Sequence, residues 1–281
     1  MSEEDISMEN IDFSCHDLNG QQEWDDSGDV AIAATSTIDP IYDKQGVISW
    51  LSNSKPIRGI IIHHTYSPSS SQYTGRNTIL AIKNYHMSHG WSDIAANFYT
   101  TPTTNGLIGY TARSLTVQNG AHAYVERSWS EVPADFRILA NGDKQHANTY
   151  CIGIETVANL DVEDPTTSKS MRNSIKLMAI ICEYHGFGVD KIWPHRALAS
   201  KSCPGNRVNM DWLREEVKKE MGNGEDCKDL PASNYAVEAL QWAMDQGLMV
   251  GDGTNQFPRC NITREDFITI LYRYHNQFVN N

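Results

Sequence analysis

One heptapeptide, Arg58-Gly-Ile-Ile-Ile-His-His64, contains the clearest secondary-structure pattern in this chain of 281 residues. Its unbroken β-branched run is typical of a strand that is buried on both faces, and the run ends in two polar side chains. A second run of the same kind, Cys151-Ile-Gly-Ile-Glu-Thr-Val157, contains one carboxylate, Glu155. Because strands of this type lie in sheets that helices cover on both sides, the two runs predict an α/β fold.

The segments around these strands predict helices and one hairpin. Residues 76–88 and the closing segment 208–221 both have helical patterns. A third helix is predicted between Ser168, a suitable N-cap, and Gly186, a suitable stop. Asn105-Gly106 lies between two short apolar runs, which is a hairpin signal.

Composition divides the chain into three segments, which are an acidic N-terminal segment at 1–45, an α/β domain at 46–221 and a small α-helical module at 228–281. The polar stretch Gly222-Asn-Gly-Glu-Asp226 separates the last two. The module contains amphipathic patterns at 234–246 and from Thr263 onward, and the second pattern predicts burial of Phe267, Ile270, Leu271 and Tyr274. Because about 50 residues form only a marginal core, we expect the module to self-associate as a homo-oligomer or to dock on the larger domain.

Charge is concentrated at the N-terminus. Residues 1–43 contain twelve acidic residues and no Lys or Arg, so the charge of this segment equals the net charge of −12 of the whole chain. Residues 44–281 are balanced, with 23 basic and 23 acidic residues. No basic stripe is present to neutralise phosphates, so nothing in the sequence supports binding to a nucleic acid. The acidic segment is typical of a solvated extension, although packing of Phe13 or Trp24 on the main domain stays open.

The sequence lacks the usual signals for a membrane or an export pathway. No stretch approaches the roughly 20 apolar residues that a membrane helix needs, so we expect no membrane insertion. The start of the chain, Met1-Ser-Glu-Glu-Asp5, lacks the basic residues and the apolar run of a signal peptide. We therefore expect a protein that is made in the cytoplasm and needs another route for export. Its six cysteines are too few and too scattered for a disulfide framework.

Three residues, His63, His195 and Cys203, are candidates for a metal site. His63 lies at the end of the first strand, His195 follows a proline just after a predicted helix, and Cys203 lies in a tight loop that ends at Gly205. Two imidazoles and one thiolate form a three-ligand zinc site that leaves the fourth position open for water, an arrangement suited to hydrolysis. On spacing alone, packing or loop-structuring roles stay open, because the ligands come from distant segments.

Five motifs, in this order along the chain, resemble those of the type-2 N-acetylmuramoyl-L-alanine amidases, which include phage amidase lysozymes and peptidoglycan recognition proteins. The motifs are Ile60-Ile-Ile-His-His-Thr65, Gly90-Trp-Ser-Asp-Ile-Ala-Ala-Asn-Phe98, Asn119-Gly-Ala-His-Ala123, Ile152-Gly-Ile-Glu155, and His195 followed by Lys201-Ser-Cys-Pro-Gly205. The resemblance covers residues 55–220. It implies a mixed central β-sheet flanked by helices and a single catalytic zinc ion. It also implies cleavage of the amide between the lactyl group of N-acetylmuramic acid and the L-alanine of the peptidoglycan stem peptide.

The resemblance also implies roles for individual residues. The zinc ligands are His63, His195 and Cys203, whereas His64 points to the opposite side of the strand because successive side chains alternate between faces. Lys201 matches the family lysine that lies two residues before the last ligand. Its charge stabilises the oxyanion that forms during attack on the amide.

The general base needs a separate assignment. Many members have a catalytic tyrosine where this chain has Ala96, and neither Tyr99 nor Tyr110 occupies that motif position. Other members use a glutamate in an Ile-Gly-Ile-Glu strand, which Glu155 matches, so the resemblance implies Glu155 as the base. A structural, salt-bridged carboxylate is the alternative there. His122 is assigned to the substrate side, with a structural hydrogen bond as its alternative.

The C-terminal module has a resemblance of its own, to a single S-layer homology module over residues 228–278. It rests on Tyr235-Ala-Val-Glu-Ala-Leu-Gln-Trp-Ala243, Gly251-Asp-Gly253 and Ile262-Thr-Arg-Glu265. Such modules bind secondary cell-wall polymers and usually occur three in tandem, so a single copy favours oligomerisation or weak binding. A helical hairpin that only stabilises the larger domain is the alternative. Arg264, beside a helix N-terminus, is the candidate contact to an anionic polymer.

Together these expectations describe a modular, zinc-dependent peptidoglycan hydrolase. It resembles a phage endolysin of a Gram-positive-type host, held in the host cytoplasm until a membrane lesion releases it to the cell wall. Two alternatives stay open. A non-catalytic recognition protein of the same fold binds peptidoglycan but typically lacks the cysteine ligand. A cytosolic muropeptide-recycling amidase has no use for a wall-binding module.

Overall fold

The structure, a computed structural model, describes residues 36–114, 119–222, 237–248 and 264–278. These residues belong to two units, which divide between Met221 and Gly222, at the start of the predicted polar break. Residues 1–35, most of the predicted acidic segment, lie outside the described part of the chain.

A mixed sheet lies at the centre of the first unit. Its strands within the described residues are β1 (Pro40–Ile41), β2 (Gly59–His64), β3 (Phe98–Thr100), β4 (Gly109–Thr111), β5 (Cys151–Thr156) and β6 (Ile192–Pro194). Their order across the sheet is β1-β4-β3-β5-β2-β6. β2 lies between β5 and β6 and is parallel to both, and β3 is parallel to β5 on its other side. β4 is antiparallel to β3, which confirms the predicted hairpin, and β1 pairs antiparallel with β4.

Helices cover both faces of this sheet, as predicted. The helices of the first unit are α1 (Lys44–Leu51), α2 (Arg76–Ser88), α3 (Ala134–Ala140), α4 (His146–Tyr150), α5 (Lys169–His185) and α6 (Met210–Gly222). Apolar residues of α1, α5 and α6 pack with Ile60 and Ile62 on one face, and those of α3 and α4 pack with Ile61 on the other. The side chains of α2 pack over Tyr99. Every residue of β2 and β5 is buried, which explains their unbroken apolar patterns.

The cap and the stop predicted for α5 are confirmed. The Ser168 hydroxyl accepts a hydrogen bond from the backbone N–H of Met171 at 3.3 Å. Gly186 follows the helix in the left-handed region, with φ at 68°, a conformation that costs glycine little. α5 therefore has the ends that its sequence indicates.

Two short strands differ from the sequence-based expectations. β1 lies within the segment predicted as an acidic extension, and Ile38 and Ile41 are buried in the core, so the folded unit begins before the predicted boundary at residue 46. His195 follows the strand β6 rather than a helix, because a single 3₁₀ turn at Val189–Lys191 separates α5 from that strand. Strands of two or three residues are too short to show alternation, and only their pairing with β4 and β2 defines them.

The second unit contains α7 (Val237–Asp245) and α8 (Arg264–Phe278) within its described residues. Leu248, just after α7, is buried, and its carbonyl accepts a hydrogen bond from Arg273 at 3.2 Å. The predicted burial of Leu271 and Tyr274 is wrong, since these side chains are 49% and 44% exposed. The amphipathic pattern of α8 therefore does not mark a fully covered face. Across the described residues of both units, no helix has the length and apolar character needed to cross a bilayer.

Candidate active site

Neighbouring strands align three reactive side chains in one row on a single face of the sheet. Glu155 of β5 pairs in register with His63 of β2 on one side and with Tyr99 of β3 on the other. Residues paired in this way point to the same face. His195 follows β6, whose last residue, Pro194, pairs with Ile62. The sheet thus delivers side chains from four segments to one end of the same face.

The three predicted metal ligands meet at this place. One ligand atom from each of His63, His195 and Cys203 lies within 4.8 Å of the other two, and all three residues are buried. The Cys203 Sγ atom is 3.6 Å from Nδ1 of His63, and the two imidazole ring centroids are 4.6 Å apart. Soft thiolate and borderline imidazole donors at such separations fit a tetrahedral Zn²⁺ with one open position. The donor set of the chain therefore fits the metal that the sequence indicates.

Arg196 holds the loop of Cys203 beside His195. Its backbone N–H donates to the Cys203 carbonyl at 2.7 Å, and its guanidinium donates to the carbonyls of Gly205 at 2.9 Å and Val208 at 2.6 Å. The residue that follows one candidate ligand thus fixes the backbone around another. The sequence analysis did not identify this role, although an arginine directly after a candidate ligand was visible in it.

Asp161 fixes the same loop from the side of β5. It accepts hydrogen bonds from the Ser202 hydroxyl at 3.0 Å and from the Asn206 backbone N–H at 2.6 Å. Lys201 lies half-buried in this loop, two residues before Cys203. The segment after β5 and the segment after β6 are therefore joined around the candidate site.

Glu155 lies next to the cluster, as its motif predicts. Its Oε1 atom is 4.0 Å from Nδ1 of His63, and the side chain is buried. A carboxylate at this distance can form an ion pair only with a protonated imidazole. A buried carboxylate this close to the candidate ligands could accept a proton from a group held beside them.

His64 points away from the cluster, as predicted from alternation along the strand. It is fully buried, and its Nδ1 atom accepts a hydrogen bond from the backbone N–H of Leu160 at 2.9 Å. This bond ties the end of β2 to the segment that contains Asp161. His64 therefore supports the loop and lies on the other face from His63.

The two tyrosines near Ala96 are core residues. Tyr99 is fully buried and packs with Ile79 and Ile82 of α2, and burial together with the nearby Glu155 raises the pKa of its phenol well above the ordinary value. Tyr110 packs in the same cluster, and its hydroxyl accepts a hydrogen bond from Tyr73 at 3.4 Å. Tyr99 is the nearer to the site, because it is the register neighbour of Glu155.

His122 is buried against His63. Its Nδ1 atom lies 3.2 Å from Nε2 of His63, and its Nε2 atom lies 3.3 Å from the carbonyl oxygen of Cys151. Burial lowers the pKa of His122 to about 4, so the ring is neutral near pH 7. Both ring nitrogens therefore have polar partners within the fold, Nδ1 in His63 and Nε2 in the carbonyl of Cys151.

The other described cysteines differ from Cys203. Burial in the core raises the pKa values of the Cys151 and Cys182 thiols to about 12. Neither thiol belongs to the His63 cluster. Arg264 is the first residue of α8, in the second unit, and its side chain lies outside what the structure describes.

Comparison with known proteins gives a family and several relatives. A family model described as N-acetylmuramoyl-L-alanine amidase matches residues 53–206. A probable N-acetylmuramoyl-L-alanine amidase of Bacillus licheniformis is 24% identical over 178 residues, which are 62% of this chain. Those residues are 41% of the relative, so the chain spans about two fifths of that protein's length.

Solved structures with similar chains have low overall similarity scores. Drosophila PGRP-LB is 20% identical, with 61% of this chain and 85% of that chain covered and a TM-score of 0.39. The catalytic domain of XlyA is 21% identical, with 60% of this chain and 92% of that chain covered and a TM-score of 0.35.

Proposed function

Because the chain belongs to the N-acetylmuramoyl-L-alanine amidase family, whose pattern spans residues 53–206, we propose that it is a zinc-dependent peptidoglycan hydrolase. It cleaves the amide between the lactyl group of N-acetylmuramic acid and the L-alanine of the stem peptide. The observation that supports this best is the buried cluster of His63, His195 and Cys203 with Glu155 beside it.

The proposed zinc ligands are His63, His195 and Cys203. They supply two nitrogen donors and one sulfur donor, all buried and close enough to hold one ion. When bound, zinc lowers the pKa of a coordinated water to about 7 and polarises an amide carbonyl. Arg196 and Asp161 keep the Cys203 loop in place for this task.

Glu155 is the proposed general base. Its carboxylate takes a proton from the attacking water while the water oxygen forms a bond to the amide carbon. The C–N bond then breaks, and Glu155 returns the proton to the departing amino group of L-alanine. The positive charge of Lys201 stabilises the negative charge that develops on the carbonyl oxygen.

We further propose that the second unit attaches the enzyme to a secondary cell-wall polymer and that the whole protein acts as an endolysin. Three aromatic rings support a binding role. Trp242 and Tyr274 both lie beside Phe278, with ring centroids 6.0 and 5.3 Å away, and each ring is about half exposed. Exposed apolar patches of this kind are typical of binding surfaces. Arg264 is the proposed contact to an anionic group of the polymer.

One digestion experiment tests the hydrolase proposal. Purified Gram-positive peptidoglycan is incubated with the full chain, with and without a chelator, and the products are assayed for new amino termini and new reducing sugars. We expect new L-alanine amino termini that disappear with the chelator and return with added zinc. New reducing sugars would show a glycosidase instead, and binding without any product would favour a non-catalytic recognition protein.

A further inference from the structure

His122 forms one link in a chain of polar contacts that ends at a backbone carbonyl. The chain runs from Nε2 of His63 to Nδ1 of His122, 3.2 Å away, and from Nε2 of His122 to the carbonyl oxygen of Cys151, 3.3 Å away. The opposite nitrogen of His63, Nδ1, faces Cys203 Sγ at 3.6 Å. His122 therefore connects the backbone carbonyl of Cys151, the first residue of β5, to His63 of the candidate metal cluster.

The direction of the hydrogen bonds in this chain follows from chemistry. A carbonyl oxygen can only accept, so Nε2 of His122 must hold a proton. An imidazole that is buried beside another imidazole and a backbone carbonyl is neutral, since a buried charge needs an opposite charge to offset its desolvation. A neutral ring has a single N–H, so Nδ1 of His122 is an acceptor. Nε2 of His63 must then be the donor, which leaves the lone pair of His63 on Nδ1.

We propose that His122 is a positioning residue that fixes the tautomer and the ring orientation of His63, so that Nδ1 of His63 is the atom that binds the metal. This inference rests on the proposed zinc-dependent function. A metal-binding histidine commonly donates its other N–H to a nearby acceptor, which fixes the ring and makes the ligand more basic. Here the acceptor is a second histidine, which is itself held in one tautomer by the Cys151 carbonyl.

The surrounding chain is built to hold the His122 ring in this place. A Cβ atom on Gly153 would lie 2.5 Å from Cγ of His122, and one on Gly120 would lie 2.8 Å from its Cδ2. The ring therefore occupies space that only glycine leaves free at both positions. On the backbone side, the Asn148 side-chain oxygen accepts hydrogen bonds from the N–H groups of His122 and Ala123, both at 2.9 Å.

Two substitutions separate a positioning role from substrate contact. His122→Asn keeps an acceptor, because the asparagine oxygen occupies nearly the position of Nδ1, whereas His122→Leu removes it. We expect His122→Leu to weaken zinc binding about 10- to 100-fold in a chelator competition and to lower kcat with little change in KM. His122→Asn should restore most of the zinc affinity. The exposed His89→Leu serves as the matched control with unchanged affinity.

Long-range ¹H–¹⁵N NMR of the wild-type histidines tests the tautomer without any variant. In the zinc-loaded full chain we expect His63 to be protonated at Nε2 and coordinated through Nδ1, and His122 to be protonated at Nε2. Coordination of His63 through Nε2 would overturn the inference, and so would a His122→Leu variant with wild-type zinc affinity and a raised KM. A wild-type chain that binds no zinc would instead refute the proposed function. The same spectrum of the metal-free chain would then still show which nitrogen of His63 is protonated.

Discussion

Glu155 lies directly opposite His63 in the register of two parallel strands, with its Oε1 atom 4.0 Å from Nδ1 of His63. The pair joins two residues that are 92 positions apart in the sequence, and both side chains are buried. Strand pairing alone therefore places a carboxylate beside the nitrogen that we assign to the metal. Any shift of β5 by one residue would turn Glu155 to the other face.

The first prediction concerns this carboxylate. Glu155→Gln should keep the fold and the zinc content and lower kcat by roughly 10²-fold or more, the usual scale for a lost general base. Turnover, metal content and thermal unfolding are measured together, with the exposed Glu131→Gln as the control that stays near wild type. Near-wild-type activity of Glu155→Gln, together with an inactive Tyr99→Phe variant, would assign the proton transfer to Tyr99.

Lys201 gives a second prediction, about charge at the carbonyl oxygen. Lys201→Ala should lower kcat by about 10²-fold with the zinc content unchanged, since one donor to a developing oxyanion is typically worth that much. Lys201→Arg keeps the charge and should recover part of the loss. If the alanine variant loses zinc together with turnover, the side chain supports the Cys203 loop and does not act on the substrate.

The third prediction tests the thiolate ligand. Cys203→Ser should lose most of the bound zinc, because a hydroxyl is a far poorer ligand than a thiolate. Cys182→Ser is the matched control, since that buried thiol packs in the core away from the cluster. Metal content per chain is measured by elemental analysis. Full zinc occupancy in Cys203→Ser would exclude the cysteine as a ligand.

A fourth prediction follows from the loop that Arg196 holds. Arg196→Lys removes the planar fork that donates to Gly205 and Val208, and a lysine cannot reach both carbonyls at once. We expect the free energy of unfolding of the metal-free chain to fall by about 1–3 kcal/mol and zinc to dissociate faster. The exposed Arg172→Lys should change neither quantity. Wild-type zinc release from Arg196→Lys would show that the loop keeps its geometry without the fork.

The sequence predicts the strands β2 and β5, the helix α5 and the hairpin of β3 and β4, and it misses the short strands β1 and β6. β2 and β5 are recognisable because burial on both faces makes them apolar throughout, and α5 because it has a cap and a stop. β1 and β6 contain only two and three residues, and their strand character comes from pairing with distant partners. A sequence pattern cannot show such long-range pairing.

The sequence likewise predicts some features of the candidate site and misses others. His63, His195 and Cys203 are brought together as expected, although their spacing alone left packing roles open. The supporting contacts of His122 and Arg196 could not be predicted, because each depends on a backbone carbonyl from another segment. The aromatic pattern of α8 indicated burial, yet Tyr274 is about half exposed, since periodicity does not show what covers a face.

The last prediction concerns the second unit. Removal of residues 224–281 should leave zinc binding and cleavage of soluble muropeptides intact, because His63, Glu155 and Cys203 all belong to the first unit. Binding to intact cell walls should fall, because the half-exposed rings around Phe278 and the basic Arg264 are lost with the unit. Co-sedimentation with walls measures this binding.

Two further variants test whether attachment to the wall depends on a contact between Arg264 and an anionic group. Arg264→Ala in the full chain should reproduce much of the loss, and added salt should weaken attachment of the wild type, because a contact between a cation and an anionic polymer is screened. Arg273→Ala is the control for the loss of one positive charge from the same helix. The guanidinium of Arg273 already donates a hydrogen bond to the Leu248 carbonyl. Undiminished sedimentation of the truncated chain would refute wall targeting, and the two helices would then be a structural or oligomerisation element.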